Sequence, residues 1–240
     1  MTNKIALVIG GASGIGEAIA TQFAAEEADV FVTGRRVAEL DEAISRIGNG
    51  ARKLVVDAND PLDVERAVTA LVASTGRIDT LVFNAAIAQP ADLLSSSADH
   101  FDSHFALNVR GPLLALQAAV PHMPAGSAVI VVGSTASEMA NSPYGTYAAT
   151  KAALRSYVRT WTVELAPRGI RVNVLSPGPT ETPMMSEVTE EVRKIILSRV
   201  PAGRFAQPAE IAGAALFLAS DESAFMAGSD LHIDGGMAQI

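Results

Sequence analysis

Tyr147 and Lys151 stand four residues apart, a spacing that puts both side chains on one face of a helix. A free phenol titrates near ~10 and exchanges protons poorly at neutral pH. A neighbouring ammonium favours the phenolate and lowers that value. The pair is therefore a candidate acid/base unit, although the same spacing occurs on any helix surface. Its surroundings must decide.

A second set of residues is suited to holding phosphate. The apolar run 5–9 ends in Gly10-Gly11-Ala12-Ser13-Gly14-Ile15-Gly16, and a helical pattern follows over 18–27. Strand, glycine turn and helix together let the backbone approach a pyrophosphate and aim free N–H groups and a positive dipole end at it. The next strand, 30–33, ends at Gly34-Arg35-Arg36. In dinucleotide folds an acid at that point takes the ribose hydroxyls, whereas an arginine accommodates a 2′-phosphate. The missing acid and the guanidinium groups of Arg35 and Arg36 favour NADP, with NAD as the alternative.

Other chemistry-bearing residues also fall at strand ends. Asp57 closes strand 53–56, and Asn84-Ala85-Ala86 follows strand 80–83. Small residues there allow an adenosine to approach closely. Asn108 lies between helical stretches at 93–106 and 112–123, where a poor helix former often has a hydrogen-bonding task. Ser134 follows strand 128–132, and Pro177-Gly178-Pro179-Thr180-Glu181-Thr182 follows strand 170–175. A helix over 144–166 carries Tyr147 and Lys151, and a last short strand, 230–233, precedes Asp234-Gly235-Gly236.

About seven strands thus alternate with helices, which implies right-handed βαβ units and a doubly wound parallel α/β sheet with helices on both faces. No linker or repeat divides residues 1–240, so one domain is expected. Hydrophobic residues make up 49% and charged residues 18%, enough for a large core and against disorder. The net charge of −8 argues against nucleic acid and anionic membranes as partners. No apolar run reaches the roughly 18 residues that span a bilayer, and no signal peptide is evident. The absence of cysteine excludes disulfides and thiolate chemistry and fits a cytoplasmic protein. His100 and His104 share a helix face, but no carboxylate or third histidine joins them in a recognisable pattern. They are expected on the helix surface, and no metal site is expected.

Taken in order, the glycine turn, Asn84-Ala85-Ala86, Asn108, Ser134, Tyr147-x-x-x-Lys151 and Pro177-Gly178 resemble the short-chain dehydrogenase/reductase family over essentially the whole chain. The likeness is to its compact branch, which includes 3-oxoacyl-acyl-carrier-protein reductases and many alcohol dehydrogenases. It implies a single-domain Rossmann fold and a catalytic set of Asn108, Ser134, Tyr147 and Lys151. Tyr147 would be the general acid/base. Lys151 would lower its pKa and hold the nicotinamide ribose, Ser134 would bind the substrate oxygen, and Asn108 would support a proton relay. Gly10, Ser13, Gly14, Ile15 and Gly16 would hold the pyrophosphate. Arg35 would take the 2′-phosphate with Arg36 beside it, Asp57 the adenine, and Asn84, Ala85 and Ala86 the adenosine side. Pro177, Gly178, Thr180 and Thr182 would flank the nicotinamide. Ile9 replaces a family threonine, which removes a backbone-fixing hydroxyl, and Phe83 and Ala86 depart from the family's asparagine-rich motif.

The expected activity is NADP(H)-dependent interconversion of a carbonyl and a secondary alcohol, acting on CH–OH groups of a small molecule. An NAD-dependent alcohol or sugar dehydrogenase is the alternative, and a non-catalytic NADP-binding sensor is the rival from another class. Residues 182–205 are expected to form a substrate lid, with Met139, Tyr144, Met184 and Met185 around an apolar cleft. The family likeness implies a homotetramer.

Overall fold

The computed structural model describes residues 1–186 and 188–239. Seven parallel strands form one sheet in the order β3-β2-β1-β4-β5-β6-β7. They are β1 (Ile5–Ile9), β2 (Asp29–Gly34), β3 (Arg52–Val55), β4 (Thr80–Phe83), β5 (Ala128–Val132), β6 (Arg171–Pro177) and β7 (Asp230–Ile233). Every residue of β1, β4 and β5 is buried, as expected where helices cover both faces of a parallel sheet.

Side chains alternate between two cores because successive strand residues point to opposite faces. Leu7, Ile9 and Phe83 pack with Leu71, Leu116 and Leu154, which come from α3 (Pro61–Thr75), α5 (Gly111–Ala119) and α6 (Gly145–Leu165). Val8 and Val32 pack with Ile19, Phe23, Leu40 and Ile211 on the other face. Those residues come from α1 (Gly14–Ala25), α2 (Val37–Ile47) and a late helix over Pro208–Ala219. Each such large side chain stabilises the fold by roughly 1.5–3 kcal/mol. The β3 edge is kept open to water by Arg52 and Lys53, which pair with Asp29 and Asp41; charged side chains discourage a further strand from adding there.

The strand order reverses at β1 and β4, and in such sheets the ligand crevice lies beyond the carboxyl ends at that switch. The segments arriving there are the glycine turn, Asn84–Ala86, Ser134 and Pro177-Gly178. Among the described residues, no helix is long and apolar enough to cross a membrane.

One expected helix differs. The stretch 93–106 becomes regular only at α4 (Ala98–Phe105). Asp92 Oδ1 accepts the N–H groups of Leu94 and Ser95, which holds a turn, and the Ser97 hydroxyl then caps α4 by accepting from His100 N–H. The chain continues through a π-helical turn, Ala106–Arg110, straight into α5. Asn108 sits in that π turn, a geometry enriched at functional sites.

Candidate active site

A cavity of about 820 Å³ runs along the sheet edge from the glycine turn past Asn84 and Ser134 to Tyr147 and Gly178. Gly10 has φ +81°, and a Cβ there would lie 2.6 Å from Ala85 N. The first turn is thus pressed onto the backbone that follows β4. Asn84 locks the two together: its Nδ2 donates to Gly10 O at 2.8 Å, and Asn84 N–H donates to Ile9 O at 2.9 Å. Gly16 does not reach the cavity wall. A Cβ there would lie 2.1 Å from Gly10 O, so its task is to let α1 pack beneath the turn.

The hydroxyl that Ile9 lacks is replaced from another strand. Thr33 Oγ1 accepts Gly10 N–H at 3.3 Å, and Thr33 O accepts Gly11 N–H at 3.0 Å. The residues fit a pyrophosphate. Gly10, Ser13, Gly14 and Ile15 line the cavity, and the Ser13 side chain makes no capping bond to α1. The helix's first-turn donors are left facing the cavity with its positive dipole end.

At the far end, Arg35, Arg36, Asp57, Ala85 and Ala86 also line the cavity. The two arginines differ. Arg36 is held by Glu39, a cavity residue that the strand-end pattern does not announce. Arg35 has no side-chain hydrogen bond or ion pair among the described residues and remains open to a ligand. Asp57 Oδ1 accepts Asn59 N–H at 2.9 Å, so part of its carboxylate shapes its own turn.

Three of the four expected catalytic side chains share the wall: Ser134, Tyr147 and Lys151. Ser134 follows β5 and caps a short 3₁₀ turn (Thr135–Ser137), its Oγ accepting Ala136 N–H at 3.1 Å. Burial pushes the Tyr147 phenol up from its ordinary value, and a hydrogen bond with Ser134 partly offsets this. Lys151, at 3% exposure, is pulled down to about 8 by burial. Its Nζ donates to Val132 O at 2.8 Å and lies 5.6 Å from the centre of the Tyr147 ring. The phenol is therefore raised rather than lowered, with burial as the largest cause and Ser134 as the opposing one.

Asn108 stands behind the wall. Its Oδ1 accepts Ile87 N–H at 2.9 Å, while its Nδ2 donates to Ile87 O at 2.9 Å and to Thr150 Oγ1 at 3.1 Å. The carboxamide mimics a backbone partner for Ile87 and is spent on structure. Any part it takes in a relay must go through its main chain.

Pro177, Gly178, Thr180 and Thr182 line the opposite side. Beyond them lie two short helices, α7 (Pro183–Ser186) and α8 (Glu190–Leu197); Glu187, within the expected lid, is outside the described residues. Glu181 and Arg193 form an ion pair at 2.6 Å, and the Arg193 guanidinium lies 4.4 Å from the centre of the Phe205 ring. Met139, Tyr144, Met184 and Met185 all border the cavity. Arg199 does so from within the expected lid, whereas sequence reasoning missed Ile87, Pro90 and Met237, which also border it. They carry no motif and arrive by folding alone.

The histidines depart from expectation. His104 is fully buried. His232 Nε2 lies 3.7 Å from both Glu138 Oε2 and Asp230 Oδ2. Arg155 sits between those carboxylates, 2.5 Å from Glu138 and 2.8 Å from Asp230. The guanidinium pairs with both and offsets one of their two charges, so the group reads as an ion-pair cluster tying α6 to β7.

With this geometry in view, comparison with known proteins is informative. The family model described as enoyl-(acyl carrier protein) reductase matches residues 10–238. The chain is 36% identical over 242 residues to the 3-oxoacyl-[acyl-carrier-protein] reductase FabG of Thermotoga maritima, covering 99% of this chain and 98% of that protein. A short chain dehydrogenase from Burkholderia cenocepacia J2315 in complex with NADP superposes with a TM-score of 0.93 at 33% identity, covering 98% of each chain. A 3-ketoacyl-(acyl-carrier-protein) reductase from Brucella melitensis complexed with NADH gives a TM-score of 0.92 at 31% identity, covering 99% of each chain. The glycine turn, the Tyr147–Lys151 pair and full-length likeness to these enzymes agree: the chain belongs to the short-chain dehydrogenase/reductase family of nicotinamide-binding oxidoreductases.

Proposed function

We propose that the protein interconverts a carbonyl and a secondary alcohol with NADP(H), using Tyr147 as the general acid/base. The observation that carries this reading is the single cavity wall shared by Ser134, Tyr147 and the buried Lys151. All three line the cavity that also holds the free N-terminal end of α1. When bound, the nicotinamide supplies or takes up the hydride.

In the reducing direction, negative charge develops on the substrate oxygen and must meet positioned donors. Ser134 and Tyr147 are those donors. Burial keeps the phenol protonated at neutral pH, which suits it to give its proton to the forming alkoxide. Lys151, at about 8, is mostly charged at neutral pH and favours the phenolate left behind. Reduction thus begins from the protonation state that burial favours. Arg35 at the adenosine end supports NADP over NAD. The NAD reading is supported by Glu39 on the same wall, which engages Arg36.

The apolar wall built by Met139, Met184, Met185 and Val192 favours a ketone with an aliphatic body, and a 3-oxoacyl thioester fits that description. The exposed apolar side chains of Phe101, Tyr157 and Val163 on α4 and α6 support a homotetramer, checked by light scattering. The deciding experiment is a turnover screen with NADPH and NADH against small ketones and a 3-oxoacyl thioester. Turnover with NADPH preferred is expected. Tight NADPH binding with no turnover of any carbonyl would point to a sensor instead.

A further inference from the structure

The wall of the cavity beside Tyr147 is an extended segment, 85–91, that belongs to no sheet. Its residues Ile87, Ala88 and Pro90 border the cavity. One stripe of helix holds it. His100, His104 and Asn108 follow one another at intervals of four residues, so they share a helix face. Four helical residues advance about 6 Å, close to the roughly 6.6 Å covered by two residues of an extended chain. The stripe therefore matches alternate residues of the segment it faces.

The contacts follow that match. Asn108 takes both polar groups of Ile87. The two imidazoles take both polar groups of Gln89. Gln89 N–H donates to His104 Nε2 at 3.1 Å, and His100 Nε2 meets Gln89 O at 3.1 Å. An N–H donor at Nε2 means that His104 is neutral with its proton on Nδ1. That proton goes to His100 O at 2.7 Å. A carbonyl only accepts, so His100 donates from Nε2, and its Nδ1 shares a hydrogen bond with Ser96 Oγ at 3.3 Å. One hop further, Ser96 Oγ is 3.5 Å from Thr146 Oγ1, next to Tyr147.

We propose that His100 and His104 are positioning residues that, with Asn108, replace a missing strand along segment 87–89 and thereby set the width of the carbonyl cleft beside Tyr147. Neither touches the reacting atoms. Their action depends on a neutral ring at position 104, because a proton on Nε2 would oppose the Gln89 N–H. Burial holds His104 below the ordinary histidine value, the hydrogen bond to His100 O opposes this, and the His100 ring adds to it. Its ring centre is 4.2 Å away. Segment 87–91 carries no charged side chain, and α6 faces the stripe with the uncharged Thr146 and Thr150. The clamp is therefore closed at neutral pH and released only in acid.

Two arms test this. The first needs neither substrate nor cofactor: amide hydrogen exchange at Gln89 and nitrogen NMR of His104 in the unaltered protein. Expected are a protected Gln89 amide at neutral pH, a His104 ring protonated on Nδ1, and loss of protection at a pH below the ordinary histidine value. A ring protonated on Nε2, or an amide equally unprotected at all pH values, overturns the proposal. The second arm rests on the carbonyl-reductase reading. His104→Phe should raise KM for the ketone about tenfold, with kcat and NADPH affinity little changed and the acid limb of the kcat/KM profile removed. His104→Gln, which restores an acceptor, should recover most of the KM. An unchanged KM with only a lowered Tm means a purely structural role and overturns it. If no carbonyl is turned over at all, the functional reading fails while the exchange arm still decides the clamp.

Discussion

Lys151 Nζ donates to the main-chain oxygen of Val132 at 2.8 Å. Val132 is the last residue of β5, so this bond ties α6 to the strand that delivers Ser134. The lysine therefore anchors the site's framework as well as supplying charge, and it does so from a buried position. Burial acts on both members of the Tyr147–Lys151 pair, raising the phenol and lowering the amine. Each shift favours the neutral form, because desolvation penalises charge.

The lysine should leave a trace in stability. Its folded value is lowered from 10.5 to about 8, so between those values the unfolded chain binds a proton that the folded one does not. Stability from this group therefore rises with pH across that window, and its cost is fully present below about pH 8. Subtracting the stability curve of Lys151→Met from that of the unaltered protein should isolate a rise on the order of 3 kcal/mol between those pH values. Denaturant melts at closely spaced pH values measure it. Parallel curves would mean that the ammonium is solvated.

Tyr147→Phe should lower kcat at least ~100-fold, the usual range for losing a general acid. NADPH affinity should stay within about threefold, because the ring and Lys151 remain. Single-turnover kinetics and fluorescence titration read the two separately. Substantial remaining activity would assign the proton to another group.

At the adenosine end the two arginines should behave differently. Arg35→Ala should weaken NADPH binding by ~10–100-fold, as expected for a lost charge-assisted phosphate contact, and leave NADH binding nearly unchanged. Arg36→Ala should do much less, since Glu39 already holds that guanidinium. Binding titrations with both cofactors check this. Equal effects on NADPH and NADH would remove Arg35 from the 2′-phosphate.

Thr33 should matter more than its place in β2 suggests. Thr33→Val keeps the shape but removes the acceptor from Gly10 N–H. A stability loss of about 1–2 kcal/mol is expected, with a weaker hold on NADPH as the glycine turn loosens. A variant as stable as the original, binding NADPH equally well, would show that the Thr33 main chain alone suffices.

The central strands could be read from the chain because buried parallel strands are continuous apolar runs ended by glycine or small polar residues, as at Ile5–Ile9 and Ala128–Val132. The glycine turn, Ser134 and Tyr147-x-x-x-Lys151 could be read for a related reason. Their tasks follow from residue type and local spacing, which the sequence alone displays. The buried state of His104 was hidden because a histidine on a mostly polar helix, α4, resembles a solvated one until segment 85–91 is laid against it. Thr33, Glu39 and Ile87 were hidden because they reach the site from separate elements.

By itself, then, the sequence determined the doubly wound architecture, the glycine turn and the candidate residues for proton transfer. Tertiary structure alone decided how they are tuned: that burial raises Tyr147 and lowers Lys151, that Thr33 supplies the hydroxyl missing at Ile9, and that Asn108 is spent on Ile87. The reason is physical. Strand and helix patterns are written in neighbouring residues, whereas desolvation and hydrogen-bond partners depend on which distant segments the fold brings to the same sheet edge.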